Sequence, residues 1–166
     1  MGRRTVVLCG CIVLAGIIAG VLIWNHDIER QFPMWRTPCM EANSIDPDVE
    51  LRFGGIDHDV TLRNGELCDQ VIVNLKGIPG QAIGYADTAW VDYFHDGEWH
   101  TVWENGLTML SARVIDGADV REEEIPIRKS VPRGLFAREG QYRLFIDGVG
   151  YCGIEVTGAE INERED

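Results

Sequence analysis

The chain has 166 residues, with 15 Lys plus Arg against 27 Asp plus Glu and a formal net charge of −12. That length accommodates one domain of roughly 100–200 residues with short flanks and excludes a multidomain enzyme. All 27 acids and 13 of the 15 bases fall after residue 26, and such an acidic chain repels phosphate backbones, so nucleic acid is excluded as a partner.

Taken in chain order, residues 1–4 read as a short cytoplasmic end. Residues 5–24, TVVLCGCIVLAGIIAGVLIW, run without a charge, and a helix of that length crosses a hydrocarbon core of about 30 Å. Arg3 and Arg4 precede it, which orients the amino terminus to the cytoplasm and the rest of the chain outside. A cleavable signal is the alternative. Its apolar stretch is ordinarily about 7–15 residues with a small-residue cleavage site, and here the run continues through Val21, Leu22, Ile23 and Trp24. The expectation is therefore a signal anchor, with the bilayer as a partner through residues 5–24 and a cell-membrane, single-pass, extracytoplasmic location.

Cys39, Cys68 and Cys152 follow the apolar segment, on the side where disulfides persist. Three cysteines allow at most one bridge. Cys68 with Cys152 is the preferred pair because both lie within the expected folded region, and three free thiols are the alternative. Residues 25–47 contain Pro33, Pro38 and Pro47 and no sustained period, which marks a juxtamembrane connector.

From residue 48 the pattern becomes short alternating runs separated by Gly, Asn and Asp, the signature of strands and turns. The alternation predicts strands at 49–53, 60–63, 70–75, 88–95, 99–103, 111–115, 123–127, 142–146 and 152–156. That spacing over about 110 residues is what a two-sheet antiparallel sandwich produces. Residues 159–166 form an acidic tail.

The clearest unit is WVDYFHDGEWHTVW at 90–103, where Asp96-Gly97 is a strong two-residue hairpin signal. The turn sets His95 opposite Glu98, Tyr93 opposite His100, Phe94 opposite Trp99, Asp92 opposite Thr101 and Trp90 opposite Trp103. One face then carries Trp90, Phe94, Trp99 and Trp103, and is the expected core face; the other carries Val91, Tyr93, His95, Glu98, His100 and Val102. Near the end, Gly140 lies two residues before Tyr142, which opens a strand, an arrangement that lets the phenol bond back to upstream main chain. The order D-G-E-W-H-T-V from Asp96 through Trp99 to Val102, then L-F-A-R-E-G-Q-Y-R-L at 135–144, then a final G-I-E-V strand resembles the bacterial immunoglobulin-like domains of exported and surface-anchored proteins. The resemblance covers about residues 48–158 and implies an all-β, immunoglobulin-like antiparallel β-sandwich behind a single transmembrane helix. Many relatives have Pro-Gly where this chain has Glu139-Gly140. The fold hosts many tasks and does not name one.

The candidate sites follow from residue chemistry. His95, Glu98 and His100 share a hairpin face, and two imidazoles with a carboxylate form a partial zinc set that lacks a fourth group. No G-x-S-x-G, S-x-x-K or H-E-x-x-H occurs, and Gly54-Gly55 and Gly148-Val149-Gly150 lack the helix that follows a phosphate loop. The expectation is no enzyme and no cofactor: a non-catalytic binding or structural module at the cell surface, with another envelope protein as partner. Trp35, Tyr93, His95, His100 and Trp103 are the contact residues first in line, since aromatics concentrate at interface centres. The alternatives are a small envelope metal-dependent hydrolase built on His95, Glu98 and His100, and a protease-inhibitor-like domain using an exposed loop at 105–110.

Overall fold

Alternation becomes strand throughout the described chain: β1 (Glu50–Thr61), β2 (Leu67–Lys76), β3 (Ile83–Ala86), β4 (Ala89–His95), β5 (Glu98–Glu104), β6 (Ala112–Ile115), β7 (Ile125–Pro132), β8 (Gly140–Ile146) and β9 (Gly150–Val156). The computed structural model describes residues 30–38, 45–105, 112–120 and 124–158. The expected span 5–24, Cys39, most of the loop 105–110 and the tail 159–166 lie outside the described residues. Among the described residues no helix is long and apolar enough to cross a membrane. The strands all belong to a compact unit that starts at Trp35; residues Met1–Met34 form a separate unit.

The architecture is all-β and antiparallel, with sheets ordered β1-β2-β7, β5-β4-β8-β9 and β3-β6. In the first sheet, Val71, Val73 and Leu75 of β2 are fully buried, and Ile127 and Val131 of β7 lie beside them. In the second, Val91 of β4, Leu144 and Ile146 of β8 and Cys152 and Ile154 of β9 form a matching buried row. Burying each such aliphatic side chain stabilises the fold by about 1.5–3 kcal/mol.

Three features depart from the alternation read in the sequence. The runs 49–53 and 60–63 are one strand, β1, with register shifts between Phe53 and Gly55 and between Asp57 and Val60. Gly55 (φ 136°) and Asp59 (φ 54°) absorb these bulges, so Gly54-Gly55 bends a strand instead of ending it. β3 has no counterpart among the predicted strands; its four residues, IGYA, become a strand only by pairing with β6. β7 continues to Pro132 because Lys129 occupies a buried position in the row Ile127, Lys129, Val131, where sequence reading ended the strand.

The hairpin turn forms with His95 opposite Glu98, Phe94 opposite Trp99, Tyr93 opposite His100 and Asp92 opposite Thr101, and both Asp96 and Gly97 have positive φ. A register shift between Val91 and Asp92 then places Trp103 opposite Val91 and Glu104 opposite Trp90, correcting the Trp90–Trp103 pairing. The expected core face holds at Trp90, which is buried and stacked on Phe145 with ring centroids 3.8 Å apart, and is corrected toward the hairpin tip. Val91, Tyr93 and Val102 are buried, whereas Phe94 is 36% exposed and Trp99 half-buried. The reason is that β8 presents Tyr142 and Leu144 to the Tyr93 and Val91 side, so that side meets the apolar row.

Cys68 and Cys152 are free buried thiols, which corrects the expected bridge. Cys68 stands on β2 opposite Val60 and Pro132, and Cys152 stands on β9 opposite Leu144, in a different sheet. Burial pushes the Cys152 thiol from 9.0 up to about 11.

Candidate functional site

β7 is the end strand of its sheet, and its residues 125–130 form one wall of a cleft of about 560 Å³. Tyr85, Asp87, Trp103, Asn105, Arg113 and Ile115 form the opposite wall. The volume lies in the range of ordinary ligand sites, about 300–1,000 Å³. Asn105 holds the far wall in place: its Oδ1 accepts from the Ala89 amide at 2.7 Å and its Nδ2 donates to the Asp87 carbonyl at 2.5 Å.

Lys129 is the electrostatic centre of this cleft. It is only 8% exposed, and its Nζ donates to the carbonyls of Ala86 at 3.4 Å and Asp87 at 3.3 Å, with Asp87 Oδ1 at 3.8 Å. Burial pushes its ammonium below the usual lysine range; the Asp87 carboxylate opposes that shift and the Arg113 charge adds to it. Asp87 is bonded more closely by Arg113 Nε at 2.6 Å. One carboxylate therefore serves two cations. The cleft is cationic and apolar at once, with Tyr85, Trp103, Ile115, Ile125 and Ile127 supplying the apolar surface. Sequence reading found Trp103 but missed Tyr85, Asp87, Arg113 and Lys129. The one available signal was a lysine standing where strand alternation calls for an apolar residue.

The other aromatic candidates gather at the hairpin, away from the cleft lining. Trp35 stacks on His100 with ring centroids 4.3 Å apart, and lies 5.9 Å from His95 and 6.5 Å from Tyr93. The adjoining Arg36 exchanges two main-chain hydrogen bonds with Thr101, at 3.2 and 2.7 Å, and its guanidinium pairs with Glu104. The connector thus adds a short pairing to β5. Among the described residues no three His, Cys, Asp or Glu side chains are grouped to hold a metal, so His95, Glu98 and His100 do not assemble as one. His95 Nε2 lies 3.4 Å from Asp96 Oδ2.

Tyr142, at the start of β8, donates its hydroxyl to the Arg138 carbonyl at 2.9 Å. Tyr93 donates to the next carbonyl, Glu139, at 3.3 Å, and receives Arg138 Nε at 3.1 Å. Gly140 (φ 145°) makes this possible, since a Cβ there would sit 2.7 Å from the Tyr93 ring.

Two further polar groupings were not legible in sequence. Asp92, fully buried, accepts from Thr101 Oγ1 at 2.7 Å and from Arg143 Nε at 2.8 Å. The Arg143 guanidinium lies between the rings of Trp99 and Tyr151, at 4.4 and 4.3 Å. Asp69, 1% exposed, accepts from the amides of Gly134 at 3.0 Å and Asp59 at 3.4 Å, and His58 Nδ1 lies 3.3 Å away. These are the satisfied partners that buried carboxylates require.

Comparison of the chain with protein-family models, with curated proteins and with solved structures finds no match.

Proposed function

We propose that this chain is a single-pass, membrane-anchored protein whose extracytoplasmic part is a bacterial immunoglobulin-like sandwich with a non-catalytic binding role. The observation that carries the reading is strand order. The orders β1-β2-β7 and β5-β4-β8-β9 resemble the A-B-E and C′-C-F-G orders of that fold, with β3-β6 as an added pair. The Tyr142 hydroxyl bonded to the Arg138 carbonyl at the start of β8 supports it, since the tyrosine corner stands at the start of the F strand in such domains. The uncharged run at 5–24 behind Arg3 and Arg4 supports the anchor and its orientation. The net charge of −12 suits a soluble outer domain. The binding role rests on the cleft beside β7, which combines aromatic walls with convergent charges.

Two measurements test this. Protease added outside intact cells should remove the part after residue 34 and leave the membrane segment; protection of that part until the cells are permeabilised would refute the topology. Metal analysis of the full chain purified in detergent should find no stoichiometric zinc. Zinc that is bound one per chain and released by His95→Ala with His100→Ala would establish the hydrolase alternative instead.

A further inference from the structure

The cleft wall made by residues 125–130 is a run of six successive residues of a strand that has no neighbour on its outer side among the described residues. Beyond the β2 ladder, the main-chain groups of these residues make no hydrogen bond among the described residues. In an antiparallel ladder each residue turns its N–H and C=O to one side, and successive residues alternate. Pro126 and Pro132 share one parity and have no N–H for β2. The even-numbered set is therefore the one turned away. Arg128 and Ser130 offer free donors, and Pro126, Arg128 and Ser130 offer free acceptors.

We propose that this edge and its cleft form a docking site for an extended, acidic-apolar peptide segment of a partner protein, which adds to β7 as a further strand. The inference rests on the binding-module reading and specifies its ligand. Six residues of β7 extend for about 20 Å, enough to pair a segment of about five or six residues. Ile115, Ile125, Ile127, Tyr85 and Trp103 receive alternate apolar side chains. Charge selects the rest of the peptide. Arg113, Arg128 and Lys129 border the cleft; Asp87 is shared between Arg113 and Lys129, and Asp57 of β1 engages Arg128 across β2. Three cations against two carboxylates leave the cleft positive in a chain of net charge −12. A second copy of the chain, pairing through the same edge, would bring like cations together, so a different, acidic partner is favoured.

Amide exchange of the full chain in detergent micelles tests the edge without a ligand. The Arg128 and Ser130 amides should exchange at least about tenfold faster than those of Ile127 and Lys129. Equal protection in the free chain would show the edge already paired and overturn the proposal. The probe for binding is an acetylated hexapeptide of alternating glutamate and valine. It should bind saturably and slow exchange at Arg128 and Ser130. The same peptide N-methylated at alternate residues should not bind, and Arg113→Gln, a change at an exposed side chain, should weaken affinity by about fivefold or more. No saturable binding at about 1 mM peptide, undiminished binding of the N-methylated form, or stronger binding of a lysine-valine hexapeptide would each overturn the proposal. Any of these would leave the outside location of the domain, tested by protease, untouched.

Discussion

At the scale of single residues, the segment before β8 is held by two tyrosine hydroxyls on successive carbonyls, of Arg138 and Glu139. Tyr142→Phe removes one of these bonds while keeping the ring, and should cost about 1 kcal/mol in urea unfolding. Gly140→Ala is more severe. Its Cβ would meet Tyr93 Cε2 at 2.7 Å, at a φ of 145° that L residues rarely adopt. The expected loss is about 2–4 kcal/mol, combining overpacking with backbone strain, and a melting temperature equal to that of the unaltered chain would contradict it. Cys152 gives a pH signature. The unfolded thiol ionises near 9.0 and the folded one near 11, so between these values the folded chain keeps a proton that the unfolded chain has lost. The raised value means that this contribution to stability is complete below pH 9.0 and declines as pH climbs to about 11. The two-unit span corresponds to about 2–3 kcal/mol. Subtracting the stability profile of Cys152→Ala from that of the unaltered chain over this range should isolate that slope; parallel profiles would show the thiol to be solvated.

At the scale of elements, the four-stranded sheet carries a polar row across its strands: Thr101 on β5, Asp92 on β4 and Arg143 on β8. Its register places Gly153 of β9 opposite Arg143, and the guanidinium stacks between Trp99 and Tyr151. A fully buried carboxylate paired in this way is costly to break from one side. Asp92→Val leaves Arg143, whose side chain is 23% exposed, without its carboxylate, and should cost about 3 kcal/mol or more in denaturant unfolding. Adding Arg143→Met should recover part of that loss, because the second change removes the orphaned charge. A double variant less stable than the single one would show that Arg143 contributes chiefly through its stacking on Trp99 and Tyr151. The same scale explains the change of core face toward the hairpin tip. Period-two alternation identifies two faces but not which one meets the other sheet. The tryptophans suggested one face; toward the tip the apolar pair Tyr142 and Leu144 selected the other, while Trp90 stays buried against Phe145.

At the scale of the whole molecule, net charge and local charge have opposite signs: the chain is strongly acidic, and the cleft beside β7 is lined by Arg113, Arg128 and Lys129. Sequence arithmetic alone pointed to repulsion of anionic partners, whereas the cleft proposed to take an acidic segment carries three cations against Asp87. Association with an acidic peptide should consequently slow as salt is raised, through loss of steering more than loss of contact. Rates measured by stopped flow at low and high ionic strength check this, and salt-independent association would contradict it.

What the sequence determined by itself is the part of the fold that depends on local chemistry: the all-β class, the Asp96-Gly97 turn with its first four cross-strand pairs, and Gly140 ahead of Tyr142. Each follows from alternation or from a glycine that a turn or close approach demands, and these constraints act within a few residues. Only the tertiary structure decided that Gly55 and Asp59 bend one long β1, that IGYA pairs as β3, that Cys68 and Cys152 stand apart in different sheets, and that Lys129 lies in the buried row. The cleft belongs to the same group. Its walls come from β3, β5, β6 and β7, and the pairing of Asp87 with Arg113 and Lys129 joins residues 26 and 42 positions apart in the chain. No periodic pattern encodes which distant strands become neighbours; that follows from how the sheets bury their apolar rows.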